Sequence, residues 1–500
     1  MSENQTSLAP TKPAYALNQP HPARLKYLTG FMAAVALGFG SLQAASEDNQ
    51  VLRELIEILR AKGSITTEEY DALKKASAPE PATSTETNAA PEVPATPPAE
   101  PTPDTEKPKR RDILADQTSS PITPLPKEAK WYDKIGFGGY TQVRYATVWN
   151  QEGEDLNVPA DKSASNDQSF FLRRGRIKFS GDVHPHLYLY SQMDFAGSTA
   201  SGGSFAIGMK DLYGDISLDA DKAYRFRVGH SKVPFGWVNM QSSQNRAPLE
   251  RPDGINSAAE GERDLGVYFM YAPPEVRSHL KELVKSGLKG SGDYGMFTVG
   301  AYAGQGPNRT DLNGEPHLLA RLTYPFKLAN GQFVEVGAQA YTGNFVVTTA
   351  PINGVTPSQD NRGVTDQRVG LSAAWYPQPF GIEAEWNIGR GPRLTDDYTS
   401  LESDFLHGGY VQLNYQVEPK LGRFFPFARW NYYEGGRKFG ANAPFERVNE
   451  LDFGFEYSPW KPFELTVAYT HTLNRTNTKG APYDDTTNAD RLSFQAQINY

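Results

Sequence analysis

The sequence predicts an all-β fold, a transmembrane antiparallel β-barrel of 16 strands, preceded by a short helical segment and a Pro-rich linker. Three observations predict it. Apolar and polar residues alternate with period two over segments of about 10 residues. Aromatic residues make up 12% of the chain, yet its mean hydropathy is only −0.56. The connections between the alternating segments are long and short in turn, as in outer-membrane barrels.

Residues 1–45 form the predicted signal peptide region. Arg24 and Lys26 precede an apolar stretch from Leu28 to Phe39, and small residues follow up to Ala44. The apolar stretch is too short for a membrane anchor, so we expect export and cleavage. The absence of cysteine suits a chain exported to an oxidising compartment.

Residues 46–76 form a predicted short helical or coiled-coil oligomerisation segment. Leu52, Leu55 and Leu59 fall on one helical face, and Thr66 with Glu69 forms a capping box for a second helix. Because so short a segment cannot bury a core alone, we expect it to self-associate. A solvated helix on a tether remains the alternative.

Residues 77–130 form a predicted Pro-rich disordered linker. Between Pro79 and Pro126, 12 of the 48 residues are proline. Such composition favours an extended chain with a reach of up to about 150 Å. We therefore expect the N-terminal segment to lie in the periplasm, within reach of the cell wall.

Residues 131–500 form the predicted outer-membrane β-barrel porin domain. Sixteen alternating segments run from residues 135–149 to residues 489–500, and the segment around Leu451 and Phe453 shows the pattern well, with Glu450 and Asp452 on its other face. Aromatic residues at strand ends predict the girdles found at membrane interfaces. These residues are Trp375, Tyr376, Phe380, Trp430, Trp460 and Phe463.

One connection departs from the pattern. Residues 273–292 should form a tight turn, yet they include a predicted helix with Val276, Leu280, Leu283 and Val284 on one face. This insertion either decorates the rim or narrows the lumen, and the sequence leaves both open.

Charge and motifs exclude other functions. The net charge is −8 and no basic domain is evident, so no nucleic-acid partner is expected. The eight histidines show no metalloprotease spacing, and no nucleophile elbow is present. We therefore expect neither an enzyme nor a bound metal or cofactor.

Alternation also predicts which charged side chains face the lumen. Arg174, Arg176 and Lys178 lie two apart on strand two, so they form a row with steps of about 6.6 Å. Rings of arginine and lysine select anions in pores. The full set of predicted inward cations is Arg144, Arg174, Arg176, Lys178, Arg225, Arg227, Arg321 and Arg368.

Acidic residues are predicted to face these cations. They are Asp211, Asp215, Glu383, Glu385, Glu450, Asp452 and Glu456. Arg225 and Arg227 therefore either line the channel or pair with the aspartates of strand four and hold the wall.

The connection at residues 235–263 follows strand five and contains Arg246, Arg251 and Arg263. Its length and position suggest that it folds inward and forms the constriction.

Several motifs resemble the phosphate-selective porin O/P family. The run from Phe226 to Gly236, FRVGHSKVPFG, is similar to the family's F-R-x-G-x-x-K-V-P-F-G hallmark. The family's L-E-R element resembles Leu249-Glu250-Arg251, and its R-x-L-G element resembles Arg263-Asp264-Leu265-Gly266. Its F-x-R-R strand is similar to residues 170–174, and the start of its first strand is similar to residues 136–140.

The resemblance implies a sixteen-stranded homotrimeric porin with anions drawn along an arginine ladder. By position it adds Arg173 to that ladder, beside Arg174, and places Ser242 and Ser243 in the constriction loop. The chain departs from the family pattern at Asn239, where a lysine is expected, and at Tyr140, where the first strand would carry arginine.

The predicted function is passive diffusion of small anionic solutes, phosphate or polyphosphate, through an outer-membrane channel surrounded by lipid. The alternatives are a porin of other selectivity, with basic and acidic walls creating a transverse field, and a structural barrel that anchors periplasmic helices.

Overall fold

The computed structural model describes residues 130–153, 156, 170–196, 207–476 and 485–500, all within the compact unit Glu106–Tyr500. The predicted signal peptide, the helical segment and nearly all of the Pro-rich linker lie outside the described residues. Within the described part of the chain, no helix has both the length and the apolar character needed to span a bilayer.

Sixteen antiparallel strands form one closed barrel, which confirms the predicted fold. The strands are β1 (Gly136–Gly153), β2 (Phe170–His184), β3 (Leu187–Asp194), β4 (Gly208–Ser217), β5 (Tyr224–Lys232), β6 (Arg263–Tyr271), β7 (Phe297–Tyr302), β8 (His317–Lys327), β9 (Phe333–Phe345), β10 (Val364–Trp375), β11 (Phe380–Leu394), β12 (Leu401–Tyr415), β13 (Arg423–Gly436), β14 (Phe445–Trp460), β15 (Phe463–Thr476) and β16 (Asp485–Asn499).

The barrel closes where β1 pairs with β16. Tyr140 lies opposite Asn499 and Val148 opposite Arg491, and β1 also pairs with β2. Gly139 and Tyr500 exchange two backbone hydrogen bonds of 2.7 and 3.0 Å at the end of this seam. Closure satisfies the backbone groups that an open sheet edge would leave unpaired in lipid.

The two faces of each strand meet different surroundings. On β14, Leu451 and Phe453 are exposed, whereas Glu450, Asp452 and Glu456 are buried in the interior. The period-two pattern therefore assigns the faces correctly here. Among the predicted girdle residues, Trp375, Phe380, Trp430 and Trp460 are exposed on the outer surface.

The girdle assignment is wrong for Tyr376. Its side chain is fully buried, and its hydroxyl donates a 2.6 Å hydrogen bond to Glu335 inside the barrel. Tyr376 directly follows Trp375, the last residue of β10. Because Trp375 faces lipid, alternation turns the next side chain, that of Tyr376, inward.

The connections at one end of the barrel are mostly long and those at the other end mostly short. Long connections follow β1, β3, β5, β7 and β9, and the opposite end carries tight turns such as residues 185–186, 376–379 and 461–462. The connection after β11 shrinks to residues 395–400, because β11 and β12 extend further than the sequence indicated. The long-connection end is the external end of such barrels.

Three α-helices lie in the described connections. Helices α1 (Trp237–Met240) and α2 (Asp253–Asn256) lie between β5 and β6, and α3 (Pro274–Lys285) lies between β6 and β7. Pro274 occupies the first turn of α3, where its missing N–H costs nothing, and Gly287 follows the helix with a φ of 77°.

Helix α3 and the residues after it enter the barrel. Val276, Leu280 and Leu283 are buried, and Leu283 packs in one cluster with Trp237 of α1. Beyond the helix, Lys289 donates hydrogen bonds of 2.7 and 2.8 Å to Glu456 of β14, far around the barrel from β6 and β7. The insertion therefore narrows the lumen rather than decorating the rim.

A buried carboxylate anchors the end of the insertion. Asp293 accepts hydrogen bonds from Arg225 of β5, at 2.6 Å, and from Arg277 of α3, at 2.8 Å. Burial acts to raise the pKa of the Asp293 carboxyl, but the two guanidinium groups hold that pKa below its ordinary value. One side chain thus ties the insertion to the barrel wall and to its own helix.

Replacing Asp293 with asparagine should destabilise the barrel by about 3–5 kcal/mol, because the fully buried Arg225 guanidinium loses the carboxylate charge with which it pairs. Urea unfolding of the protein in lipid vesicles measures the loss. Asp396→Asn is the control, since Asp396 pairs with Arg393 at 3.1 Å but is 74% exposed, and its removal should cost no more than about 1 kcal/mol. Equal losses in both variants would contradict the anchoring role.

Candidate functional site

Residues 233–262, called here the lumen loop, fold into the barrel from its external end. The loop begins with Val233 and Phe235, which are buried against Tyr268 and Tyr341 of the wall. Gly236 then turns the chain with a φ of 87°, a conformation that L side chains rarely adopt. The hallmark Pro-Phe-Gly sequence thus directs the loop inward.

One side of the lumen loop is bound to β9 and β11. The backbone N–H groups of Trp237 and Val238 donate to the Glu385 carboxylate at 2.7 and 3.2 Å. The Trp237 indole donates to Glu335 at 3.2 Å. Glu385 thereby accepts the first backbone N–H groups of α1, and Glu335 accepts the indole N–H of its first residue.

Helix α2 lies against β10–β13. Asn387 of β11 donates to the Gly254 carbonyl at 2.5 Å, and Arg368 of β10 donates to the Ser257 hydroxyl at 2.8 Å. A Cβ atom on Gly254 would lie 2.5 Å from the Gly408 carbonyl carbon. Glycine at both positions therefore lets the loop backbone contact the wall backbone directly.

The other side of the lumen loop is bound to β1, β2 and β16. Gln142 donates to the Ser243 carbonyl at 3.1 Å, and Gln497 donates to the Gln244 carbonyl at 2.9 Å. Ser242 accepts a backbone hydrogen bond within the loop, from Asn245. The loop thus spans the interior from β11 to β1.

A single carboxylate, Glu250, joins the loop to a group of arginines. Its oxygens lie 2.7 Å from Arg144, 2.8 Å from Arg173, 3.1 Å from Arg174 and 3.7 Å from Arg246. Burial acts to raise the Glu250 pKa, but these cations hold it well below its usual value. Four guanidinium groups therefore converge on this one carboxylate.

A β-bulge allows two consecutive arginines to reach Glu250. Gln142 pairs with Arg174 and Val143 pairs with Leu172, so Arg173 is the extra residue on β2. A bulge redirects one side chain, and both Arg173 and Arg174 consequently point inward. Alternation alone would have turned Arg173 toward lipid.

The remaining basic row of β2 continues along the interior. Arg176 donates to Asp194 at 2.9 Å and to the Tyr140 hydroxyl at 2.8 Å, and it lies 3.5 Å from the Ser243 hydroxyl. Lys178 is 3% exposed. Tyr140, where the family places arginine, therefore serves as a partner for an arginine of the neighbouring strand.

Arg251 and Lys232 hold the shape of the loop. Arg251 donates to the carbonyls of Val238 and Gln241 at 3.2 and 3.0 Å and pairs with Glu262. Lys232 donates to the carbonyls of Met240 and Gln241 at 2.9 and 2.6 Å. Both cations thus satisfy carbonyls at the end of α1 that would otherwise be orphaned.

Arg263 does not belong to the constriction loop. It is the first residue of β6 and pairs in register with Lys232 of β5. Its guanidinium contacts Asp211 of β4 at 3.0 Å and also pairs with Glu262. The sequence assignment failed here because the polar pair Arg263-Asp264 begins a strand.

The other predicted cations are bound to the wall or the connections. Arg227 pairs with Asp215 of β4 at 2.7 Å, which agrees with the prediction that it pairs with an aspartate of strand four. Arg225 instead pairs with Asp293 of the insertion. Arg321 donates to the Gly295 carbonyl at 3.0 Å. Asn239, where the family places lysine, donates to the Ile255 carbonyl at 3.2 Å.

Acidic side chains of β11, β14 and β15 form an acidic wall inside the barrel. Glu450 and Asp452 of β14 are buried in the interior, as are Glu383 and Glu385 of β11. Glu446 and Glu464, which sequence reasoning did not select, join this wall; strand facing alone could have found them. Arg429 of β13 pairs with Asp452 at 2.8 Å.

A cavity of about 590 Å³ opens at the short-turn end of the barrel, beside the insertion. Lys285, Lys289, Arg423 and Glu464 line part of it.

A closed barrel with an apolar exterior, a polar interior and an inward-folded loop defines the class of the protein: an outer-membrane channel of the porin type. The chain belongs to the family of phosphate-selective porins O and P, whose sequence model matches residues 150–500. Family and fold indicate a channel rather than an enzyme. No curated protein matches the chain.

Solved structures with a similar fold are distant in sequence. The outer membrane channel DcaP of Acinetobacter baumannii is 17% identical with a TM-score of 0.47, and covers 73% of this chain and 97% of its own. The trimer form of OmpT of Vibrio cholerae is 12% identical with a TM-score of 0.43, covering 73% and 99%. An anion-selective porin from Comamonas acidovorans is 10% identical with a TM-score of 0.42, covering 73% and 99%.

Glu250→Gln should release the lumen loop from the β1–β2 wall, because the arginines that meet at Glu250 then lose the carboxylate charge that holds them to the loop. The cost should be about 3–5 kcal/mol. Limited trypsin digestion of the folded protein measures release as new cleavage after Arg246. Glu315→Gln, which removes a half-exposed partner of Arg362, should leave the digestion pattern unchanged; an unchanged pattern in Glu250→Gln as well would refute the tether.

Arg251→Lys separates charge from geometry. The substitution keeps the positive charge but loses the planar group that reaches two carbonyls and Glu262. We expect the loop to become trypsin-sensitive and the channel current to fluctuate more in planar bilayers. A variant that matches the native protein in both measurements would show that only the charge of Arg251 matters.

Proposed function

We propose that the protein is a channel for passive diffusion of small anionic solutes, with phosphate or polyphosphate as the preferred class. The observation that carries this proposal is the arginine group around Glu250. Four guanidinium groups from β1, β2 and the lumen loop converge there on Glu250, in the interior of the barrel. An anion passing this point meets closely spaced guanidinium groups that attract it and repel a cation.

The chemistry of the group favours oxyanions. Arg174 Nε and two nitrogens of Arg246, Nε and Nη1, are buried and have no hydrogen-bond partner among the described residues. Guanidinium N–H groups match the oxygens of phosphate in planar pairs. Along β2, Arg176 and Lys178 extend the positive wall in steps of about 6.6 Å. Each step offers a passing anion a new partner before the previous one is released.

The cations divide into two roles under this proposal. Arg144, Arg173, Arg174, Arg176 and Lys178 supply the positive wall. The predicted constriction residues Arg251 and Arg263, by contrast, hold the loop and its flanking strand. Arg225, Arg227, Arg321 and Arg368 hold the insertion, the wall or α2 in place.

A second candidate function is a general porin with a transverse field. The acidic wall of β11, β14 and β15, with Glu383, Glu450 and Glu464, favours it, because the interior then carries acidic as well as basic stretches of wall. Such a field orders water and sorts solutes by dipole as well as by charge.

We further propose a homotrimer in the outer membrane with the N-terminal segment in the periplasm, as the family resemblance implies. The start of β1 and the end of β16 lie at the short-turn end, which supports this orientation of the chain.

Reversal potentials in planar bilayers under a KCl gradient test the channel and its sign. A potential showing chloride preference supports the anion channel, and a potential near zero with dipole-dependent solute fluxes supports the transverse-field porin. A cation-selective current would refute anion preference. An absence of conductance would refute the channel and favour a structural barrel that anchors periplasmic helices. Adding phosphate or polyphosphate should reduce chloride current if oxyanions bind the arginine group.

The double variant Arg174→Gln and Lys178→Gln should lower the chloride-to-potassium permeability ratio at least about three-fold, since a change of one kT in local potential changes ion concentration by that factor. Reversal potentials measure the ratio. The control Arg362→Gln removes a cation that is 76% exposed in an external connection, and its ratio should equal that of the native protein. An unchanged ratio in the double variant would contradict the proposed wall.

A further inference from the structure

The outer face of β8–β14 carries a groove and a cationic belt at the same height. Two rows of register partners define the height. The upper row is Leu318, Thr342, Gln367, Arg390 and Phe405, and the row below is Ala320, Ala340, Val369, Ile388, His407, Glu434 and Arg447. Both rows lie near the external ends of the strands. They are called here the belt surface.

The groove occupies the β8–β11 part of the belt surface. Its volume is about 530 Å³. Ala320 and Ala340 leave space between the larger side chains, and Leu318, Val369 and Ile388 are at least half exposed around them. An apolar depression on a lipid-facing wall matches a hydrocarbon chain and offers nothing to a hydrated ion.

The cations lie beside the groove. Arg390 is the register partner of Gln367, a groove residue, and is exposed. Arg447, which is 43% exposed, donates through Nε to Glu434 at 2.9 Å, and the Tyr432 hydroxyl donates to the same carboxylate. Glu434 therefore orients Arg447 while leaving the belt surface positive.

Aromatic rings mark the height as the membrane interface. His407 lies 5.8 Å from Trp386 and 5.5 Å from Tyr432, measured between ring centroids, and Trp430 lies 5.9 Å from Trp386. Aromatic belts stand at the headgroup level of the bilayer. An arginine facing lipid costs about 2–4 kcal/mol at the midplane but little at the interface, so Arg390 and Arg447 are placed where headgroups are.

We propose that the belt surface binds a phosphorylated lipid of the outer leaflet, with one acyl chain in the groove and headgroup phosphates at Arg390 and Arg447. Three strand spacings separate these residues, about 14 Å across the sheet, so a headgroup with two phosphates fits better than one with a single phosphate. The proposal concerns the outer wall and is independent of what passes through the lumen.

The test uses the full-length protein in the oligomeric state in which it is purified, after detergent exchange has removed bound lipid. Native mass spectrometry counts adducts during titration with bisphosphorylated lipid A and with its monophosphorylated form. The native protein should bind the bisphosphorylated form more tightly. The double variant Arg390→Ser and Arg447→Ser should bind it about 30-fold more weakly, from roughly five-fold for each cation near an anionic lipid surface.

Two further variants separate the parts of the site. Arg393 lies on the same strand as Arg390, but it pairs with Asp404 and does not belong to the belt surface. The Arg393→Ser variant should therefore bind the lipid as tightly as the native protein does. Val369→Phe fills the groove without changing charge, and it should weaken binding of the long-chain lipid.

Native affinity in the Arg390→Ser and Arg447→Ser variant would overturn the proposal. Displacement of the lipid by excess inorganic phosphate alone would also overturn it, because the groove would then contribute nothing. If the double variant instead dissociated oligomers while its lipid adducts persisted, the belt surface would be a contact between copies of the chain, and the lipid site would be refuted.

Discussion

The interior of this barrel depends on the burial of Glu250 among four arginines. A carboxylate removed from water is costly unless cations and hydrogen bonds replace its hydration. Here Arg144, Arg173 and Arg174 come from the wall and Arg246 from the loop itself. Because the partners belong to different elements, they converge on one carboxylate only when the loop lies inside the barrel. The same contact holds the loop and gathers the four guanidinium groups.

Several other charged groups that face inward are likewise satisfied by segments that enter from the two ends. The lumen loop supplies backbone N–H groups to Glu385 and carbonyls to Arg251 and Lys232. The insertion supplies Asp293 to Arg225, and Lys289 to Glu456. Closure of the sheet places polar side chains inside and apolar ones in lipid.

Much of this architecture could be predicted, because a strand in a barrel repeats one physical choice at every second residue. The faces of β14 and the inward direction of Arg174, Arg176 and Lys178 follow from that period. Prediction failed at three residues, each for its own reason. Arg173 turns inward only because a bulge on β2 adds one residue, Tyr376 turns inward where β10 ends, and Arg263 begins a strand that its polar sequence concealed. The family motif, rather than alternation, had placed Arg173 correctly beside Arg174.

The sequence by itself determined the barrel, its strand number, its two faces and its family, because these depend on local periodicity, turn residues and short motifs. Only the tertiary structure decided which charges meet. Arg225 pairs with Asp293, 68 residues away, and Arg173 with Glu250, 77 residues away. Such pairs are set by how the loop and the insertion cross the closed barrel, and no local pattern encodes that crossing. Which arginines hold the loop backbone and which meet at Glu250 is therefore a property of the folded chain.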